Sequence, residues 1–247
     1  MAHLAHYKEA HPLPFVITHW INLVCMVCLI ITGFYIHYPL FGGFMGACRG
    51  LHICCGIIIT INCIVRLILA FVVKSAPTAG TRSVVRDYKT WLPQQNNKHQ
   101  LGAWIKYYLF AQKDHPLGAK LGVPQKLSYL LIPIILLFMA WTGFALWIPT
   151  SSWGISQFLI GAWGVMTIRI VHYFCMFVFI IFMCIHIYLA NIEGLAPTKL
   201  MFLRKEAPGL VYDPEKRNVV GFDGLGEEPS YGEAPSKRDL DAEGVKC

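Results

Sequence analysis

The chain has 247 residues, of which 55% are hydrophobic and 14% charged, with a mean hydropathy of +0.50 and a formal net charge of +7. Soluble domains carry about 25% charged residues, so this composition excludes a water-soluble fold, and with it intrinsic disorder and a disulfide-stapled secreted module. No Asp or Glu occurs between Glu9 and Asp87, nor between Asp114 and Glu193. Acid-free stretches of that length predict several bilayer crossings, each needing roughly 20 mainly apolar residues.

Four apolar segments follow one another along the chain. The first runs from about Pro14 to Tyr38, opened by two prolines and closed by Pro39. It is expected to be a retained helix, because no basic stretch with a cleavage site precedes it. The second runs from about Cys48 to Val73, the third from Lys126 to Ile148, and the fourth from about Met166 to Ala190. Each is long enough to cross about 30 Å of hydrocarbon at roughly 1.5 Å per residue. Pro133 is expected to bend the third, as membrane helices tolerate. The expected fold class is therefore all-α membrane, a bundle of four transmembrane helices.

Loop charges orient the bundle. The connection 75–125 carries Arg82, Arg86, Lys89, Lys98, Lys106, Lys113 and Lys120, whereas 39–48 and 149–168 have no basic residue inside them. By the positive-inside rule the long loop faces the cytoplasm, together with both termini. The net charge thus reflects topology, and no nucleic-acid partner is expected. Two domains are anticipated: a membrane domain over 1–195 and a cytoplasmic tail over 196–247. From Ile192 that tail holds 11 acidic and 8 basic residues among many Pro and Gly, which predicts extended or disordered chain. Lys199 to Lys205 could instead lie on the membrane surface.

Nine cysteines are present, eight of them in or beside apolar runs. No Cys-x-x-Cys-His occurs, so c-type haem attachment is not indicated. Cys25 and Cys28 share a helix face, yet small packing residues inside a bundle are the simpler reading, and the cysteines are given no role.

Four of the ten histidines fall inside the apolar segments: His19, His52, His172 and His186. Ionisable groups within a bilayer are costly and mark functional sites. With alternating helix directions, His52 and His172 lie at the outer level, and His19 and His186 at the inner level. His172 and His186 are 14 residues apart, close to four turns, which puts them on one face about 21 Å apart along the axis. Paired imidazoles at two depths are what two stacked bis-histidine b haems require, His52 with His172 and His19 with His186. Gly33 and Gly56 could let a flat macrocycle approach the backbone. Arg49 and Arg169 each precede an outer histidine by three residues, and Arg66 follows His52 by 14; all three suit propionate carboxylates. His3, His6, His11, His99 and His115 lie in polar segments and are expected to be solvated, and His37 sits at the outer rim.

Several stretches then occur together, in order, over roughly residues 15–192. They are His19-Trp20, Ile31-Thr32-Gly33-Phe34-Tyr35, Arg49-x-x-His52-x-x-x-Gly56 with Arg66 and Ala70-Phe71, and Lys106-Tyr107-Tyr108-Leu109-Phe110. Gln125-Lys126-Leu127-Ser128-Tyr129, Thr142-Gly143-Phe144-Ala145-Leu146, Arg169-Ile170-Val171-His172 and His186-Ile187-Tyr188-Leu189-Ala190 complete the set. In these the chain resembles the b-type cytochrome subunits of membrane-bound nickel–iron hydrogenases, within a wider group that includes formate dehydrogenase cytochrome b subunits. The resemblance implies haem ligation by His19, His52, His172 and His186. It implies an electron path from a periplasmic iron–sulfur small subunit, partnered by a nickel–iron large subunit, to quinone at the cytoplasmic side. It also implies a multi-pass place in the bacterial inner membrane. The family's asparagine ahead of the third helix is missing here, while Gln125 is retained as the quinone-site residue. The nearest alternative partner is a formate dehydrogenase or related molybdenum oxidoreductase; a transporter or plain anchor with buried histidines is the alternative from another class.

Overall fold

The computed structural model describes residues 4–92, 101–112, 115–116, 121–191, 194–213, 218–224 and 245–246. Lys98, Lys113 and Lys120 of the basic loop, with His3 and His99, lie outside these. In chain order the elements are α1 (Leu13–His37), α2 (Met45–Val72), β1 (Lys74–Ser75), β2 (Val85–Arg86), α3 (Tyr88–Trp91) and α4 (Leu101–Tyr108). There follow β3 (His115–Pro116), α5 (Val123–Leu146), α6 (Ile148–Ser151), α7 (Gly154–Asn191), α8 (Ala196–Leu203), β4 (Gly209–Asp213), β5 (Asn218–Asp223) and β6 (Val245–Lys246).

Among the described residues four helices are long and apolar enough to cross a membrane: α1, α2, Gln125–Leu146 of α5, and α7. They match the four predicted segments. Pro14 stands in the first turn of α1, where its missing N–H costs nothing. The helix continues through Pro133 in α5. The fourth segment is longer than expected, because α7 already begins at Gly154. Gly164, at φ +74° and ψ 151°, divides α7 into a leading helix and the span proper. That backbone conformation is open to glycine and closed to most L-residues. The connection 149–168 therefore holds most of α6 and the leading part of α7. Aromatic side chains fix this piece: Trp141 donates its indole N–H to the Ile155 carbonyl at 3.0 Å and stacks on Phe158 at 6.5 Å between centroids.

The chain divides into two units. One comprises Ile17–Leu67 and Leu131–Ile187. Its core is formed by Cys25, Cys55, Ile59, Cys63, Leu136 and Phe179, with the cysteines as free thiols in packing positions. Residues such as Val24, Ile31, Ile61, Ile134 and Ile181 point outward, as lipid-facing positions require. Asn62 crosses between spans, donating to the Thr18 carbonyl and to Asn22 Oδ1, both at 2.7 Å. Such polar bonds between membrane helices contribute about 0.6 kcal/mol each on average.

The other unit gathers Met1–Val16, Ile68–Leu130 and Tyr188–Cys247. It corrects the expectation for the tail. Residues 196–223 include helix α8 and an antiparallel hairpin, β4 with β5. The hairpin is held by remote segments: Ala5 N–H donates to the Leu210 carbonyl at 2.8 Å, and Tyr212 N–H to the Gly80 carbonyl at 2.6 Å. A Cβ on Gly80 would lie 2.6 Å from the Leu210 carbonyl oxygen, so only glycine fits there. Arg82 lies over the Tyr7 ring at 4.0 Å and faces Glu9, Glu206 and Asp223 at 3.6–3.9 Å. The tail charges are thus engaged with the first residues of the chain. Residues 225–244 lie outside the described residues.

Candidate haem site

Two imidazole pairs form within the unit that carries the spans. His19 of α1 and His186 of α7 have ring centroids 6.0 Å apart, and His52 of α2 and His172 of α7 have centroids 6.3 Å apart. Each of these rings thus lies beside the one expected at its own level. A metal held between two imidazole nitrogens at about 2 Å each, with each nitrogen about 1 Å from its ring centre, separates the centroids by about 6 Å. Both pairs therefore stand at the spacing of axial ligands to one iron. Among the described residues no group of three or more His, Cys, Asp or Glu could hold a metal ion. A donor set of two suits an iron whose other four ligands come from a porphyrin.

The His52–His172 pair has a clear supporting shell. Thr32 Oγ1 lies 2.8 Å from His52 Nδ1, and Thr142 Oγ1 lies 2.8 Å from His172 Nδ1. Each threonine precedes a glycine that lets the facing ring come close. A Cβ on Gly143 would be 3.3 Å from His172 Cε1, and one on Gly33 would be 3.6 Å from His52 Cε1 and 3.3 Å from Met176 Sδ. At Gly33 the tighter neighbour is therefore the Met176 thioether, with the His52 ring in ordinary contact. A Cβ on Gly56 would meet no atom within 4 Å. Thr32 and Thr142 carried no site assignment in the sequence; the available signal was the repeated Thr-Gly-Phe, at Thr32-Gly33-Phe34 and Thr142-Gly143-Phe144.

The remaining expected residues are distributed as follows. Arg49 and Arg169 are exposed, one turn ahead of His52 and His172, and Arg66 is half-buried. Among the described residues neither Arg49 nor Arg169 has a carboxylate partner. Gln125 belongs to the other unit, where its side-chain oxygen accepts the Gly122 N–H at 2.8 Å and closes the start of α5. His37 stacks on Tyr173 with centroids 3.9 Å apart, which ties the end of α1 to α7.

Four apolar spans with paired imidazoles between them define a mostly helical, multi-pass membrane protein. The chain belongs to the prokaryotic cytochrome b561 family, whose sequence pattern matches residues 10–203. It is 30% identical over 203 residues to the probable Ni/Fe-hydrogenase B-type cytochrome subunit of Rhizobium leguminosarum bv. viciae, covering 74% of this chain and 80% of that protein. It is 28% identical over 165 residues to the probable Ni/Fe-hydrogenase 1 B-type cytochrome subunit of Escherichia coli (strain K12), covering 62% of this chain and 64% of that one. Membership makes haem b its cofactor and the bacterial inner membrane its place.

Proposed function

We propose that this chain is the di-haem cytochrome b subunit of a membrane-bound hydrogenase, passing electrons from a periplasmic iron–sulfur subunit to membrane quinone. The observation that carries the reading is the pair of imidazole pairs, at 6.0 and 6.3 Å between centroids. That both relatives are described as Ni/Fe-hydrogenase subunits favours hydrogenase over formate dehydrogenase as the partner.

Haem b supplies a one-electron carrier at each level. The chain's own residues then do three things. His52 with His172, and His19 with His186, would each hold one haem, at levels roughly 21 Å apart along α7. Arg49 and Arg169, one turn ahead of His52 and His172, would pair with the propionates of a haem held there, and Arg66 would serve one held by His19 and His186. The basic loop holds both termini in the cytoplasm, which puts the His19–His186 level on the side where quinone takes its protons. Gln125, in the first turn of α5, at the end that the positive-inside rule assigns to the cytoplasm, is our candidate for contact with quinone.

The deciding experiment is purification from native membranes with pyridine haemochrome analysis. Two b haems per chain, co-purifying with a nickel–iron and an iron–sulfur subunit, are expected. A chain without b haem would sink the reading in favour of an anchor or transporter, and a molybdenum-containing partner would reassign the complex.

A further inference from the structure

We propose that Thr32 and Thr142 are positioning residues that hold His52 and His172 as Nδ1–H tautomers, so that each presents Nε2 as its ligating nitrogen. The inference rests on the di-haem reading and deepens it at one level.

A threonine hydroxyl donates once and accepts with its lone pairs. Thr32 Oγ1 lies 2.7 Å from the Cys28 carbonyl oxygen, and Thr142 Oγ1 lies 2.9 Å from the Met139 carbonyl oxygen. These are the back-bonds that hydroxyls make to their own helix in an apolar surrounding. With the proton committed there, each hydroxyl faces its histidine as an acceptor, and Nδ1 must carry the hydrogen across the 2.8 Å contact. Both threonines are almost completely buried, at 3% and 0% exposure, so water does not offer a rival partner. Nε2 is left unprotonated, which is the state a metal requires.

The device is built twice. Thr-Gly-Phe occurs in α1 and in α5, and Arg-x-x-His occurs in α2 and in α7. In each copy the threonine hydroxyl meets Nδ1, and a backbone carbonyl of the same helix, Leu29 for His52 and Met139 for His172, also accepts from the imidazole, which again requires a hydrogen on the ring nitrogen. Among the described residues the rings of His19 and His186 have no hydrogen-bond partner of this kind. An acceptor on Nδ1–H raises the basicity of the ligand and favours the oxidised iron. The threonines therefore lower the midpoint potential of one haem and leave the other untouched.

The test uses the purified full chain in its native complex. Haem content and the two midpoint potentials are measured for wild type, Thr32→Val, Thr142→Val and the corresponding serine variants. Valine is expected to move one potential upward with the other unchanged, and serine to restore it. Two retained haems with unaltered potentials in both valine variants would overturn the proposal. If valine expels one haem, serine holding it at the wild-type potential supports the proposal, and serine losing it too overturns it. Failure of the di-haem reading shows separately, as a wild-type chain from which His52→Ala and His172→Ala remove no haem.

Discussion

Tyr7 donates its hydroxyl to Asp223, joining the first residues of the chain to the last strand of the hairpin across 216 positions. Both side chains are buried. Burial, and then the Asp223 carboxylate, push the Tyr7 phenol well above its ordinary range. Replacing Tyr7 by Phe removes the donor and leaves a buried carboxylate short of a partner. We expect a loss of about 1–3 kcal/mol in the unit that contains the hairpin, read as faster hydrogen exchange at residues 4–7 and 209–223.

The same contact sets an alkaline limit. The folded unit holds the Tyr7 proton more tightly than the unfolded chain does, so the contribution is complete below the ordinary phenol value of 10.0. It is lost as pH rises through the raised value. Proteolytic resistance of the hairpin should therefore fall only above about pH 10, and the Tyr7→Phe variant should lack that step.

Gly80 gives a sharper test of the same unit. A Cβ there would stand 2.6 Å from a backbone carbonyl, which cannot swing away as a side chain could. Gly80→Ala is expected to break the Tyr212 to Gly80 hydrogen bond and cost on the order of 1–3 kcal/mol. A protease nick appearing within 204–223 would report it, while the haem spectrum stays unchanged.

The two imidazole pairs should separate by mutation. His172→Ala is expected to lower haem content from two per chain to one, removing the outer haem, and His186→Ala to remove the inner one. Each variant should leave the other haem spectrally present. Loss of the inner haem alone in His172→Ala would refute the depth order.

The glycines beside the outer pair should grade in their effects. Gly143→Ala brings a methyl to 3.3 Å from a ligand ring, whereas at Gly33 the tightest neighbour is the flexible Met176 thioether. Overpacking of this kind costs about 1–3 kcal/mol where neighbours cannot give. Gly143→Ala is expected to lower occupancy or broaden the outer-haem signal, and Gly33→Ala to do so less.

What could be read from sequence follows from what the bilayer demands. Spans must be apolar and long, and an ionisable residue inside one is rare enough to mark a site, so His19, His52, His172 and His186 stood out and their depths paired them. Thr32 and Thr142 did not, because a threonine bonded to its own helix is unremarkable until the facing ring is seen. Gly164 looks like any other glycine in an apolar run; only its positive φ shows that α7 is divided there, ten residues after its start. The tail misled for another reason. Its Pro-, Gly- and charge-rich composition resembles coil, but Leu4 pairs with Leu210 and Tyr7 with Asp223, and pairing over such separations leaves no local pattern.

Both imidazole pairs take one ring from α7, the last of the four spans to leave the ribosome. A nascent chain that has not yet reached His172 contains His19 and His52 but no pair. Under the di-haem assignment, cofactor loading is therefore a closing step of biogenesis, gated by insertion of the final helix. A chain cut short in α7 between His172 and His186 would be born able to hold one haem and never the second.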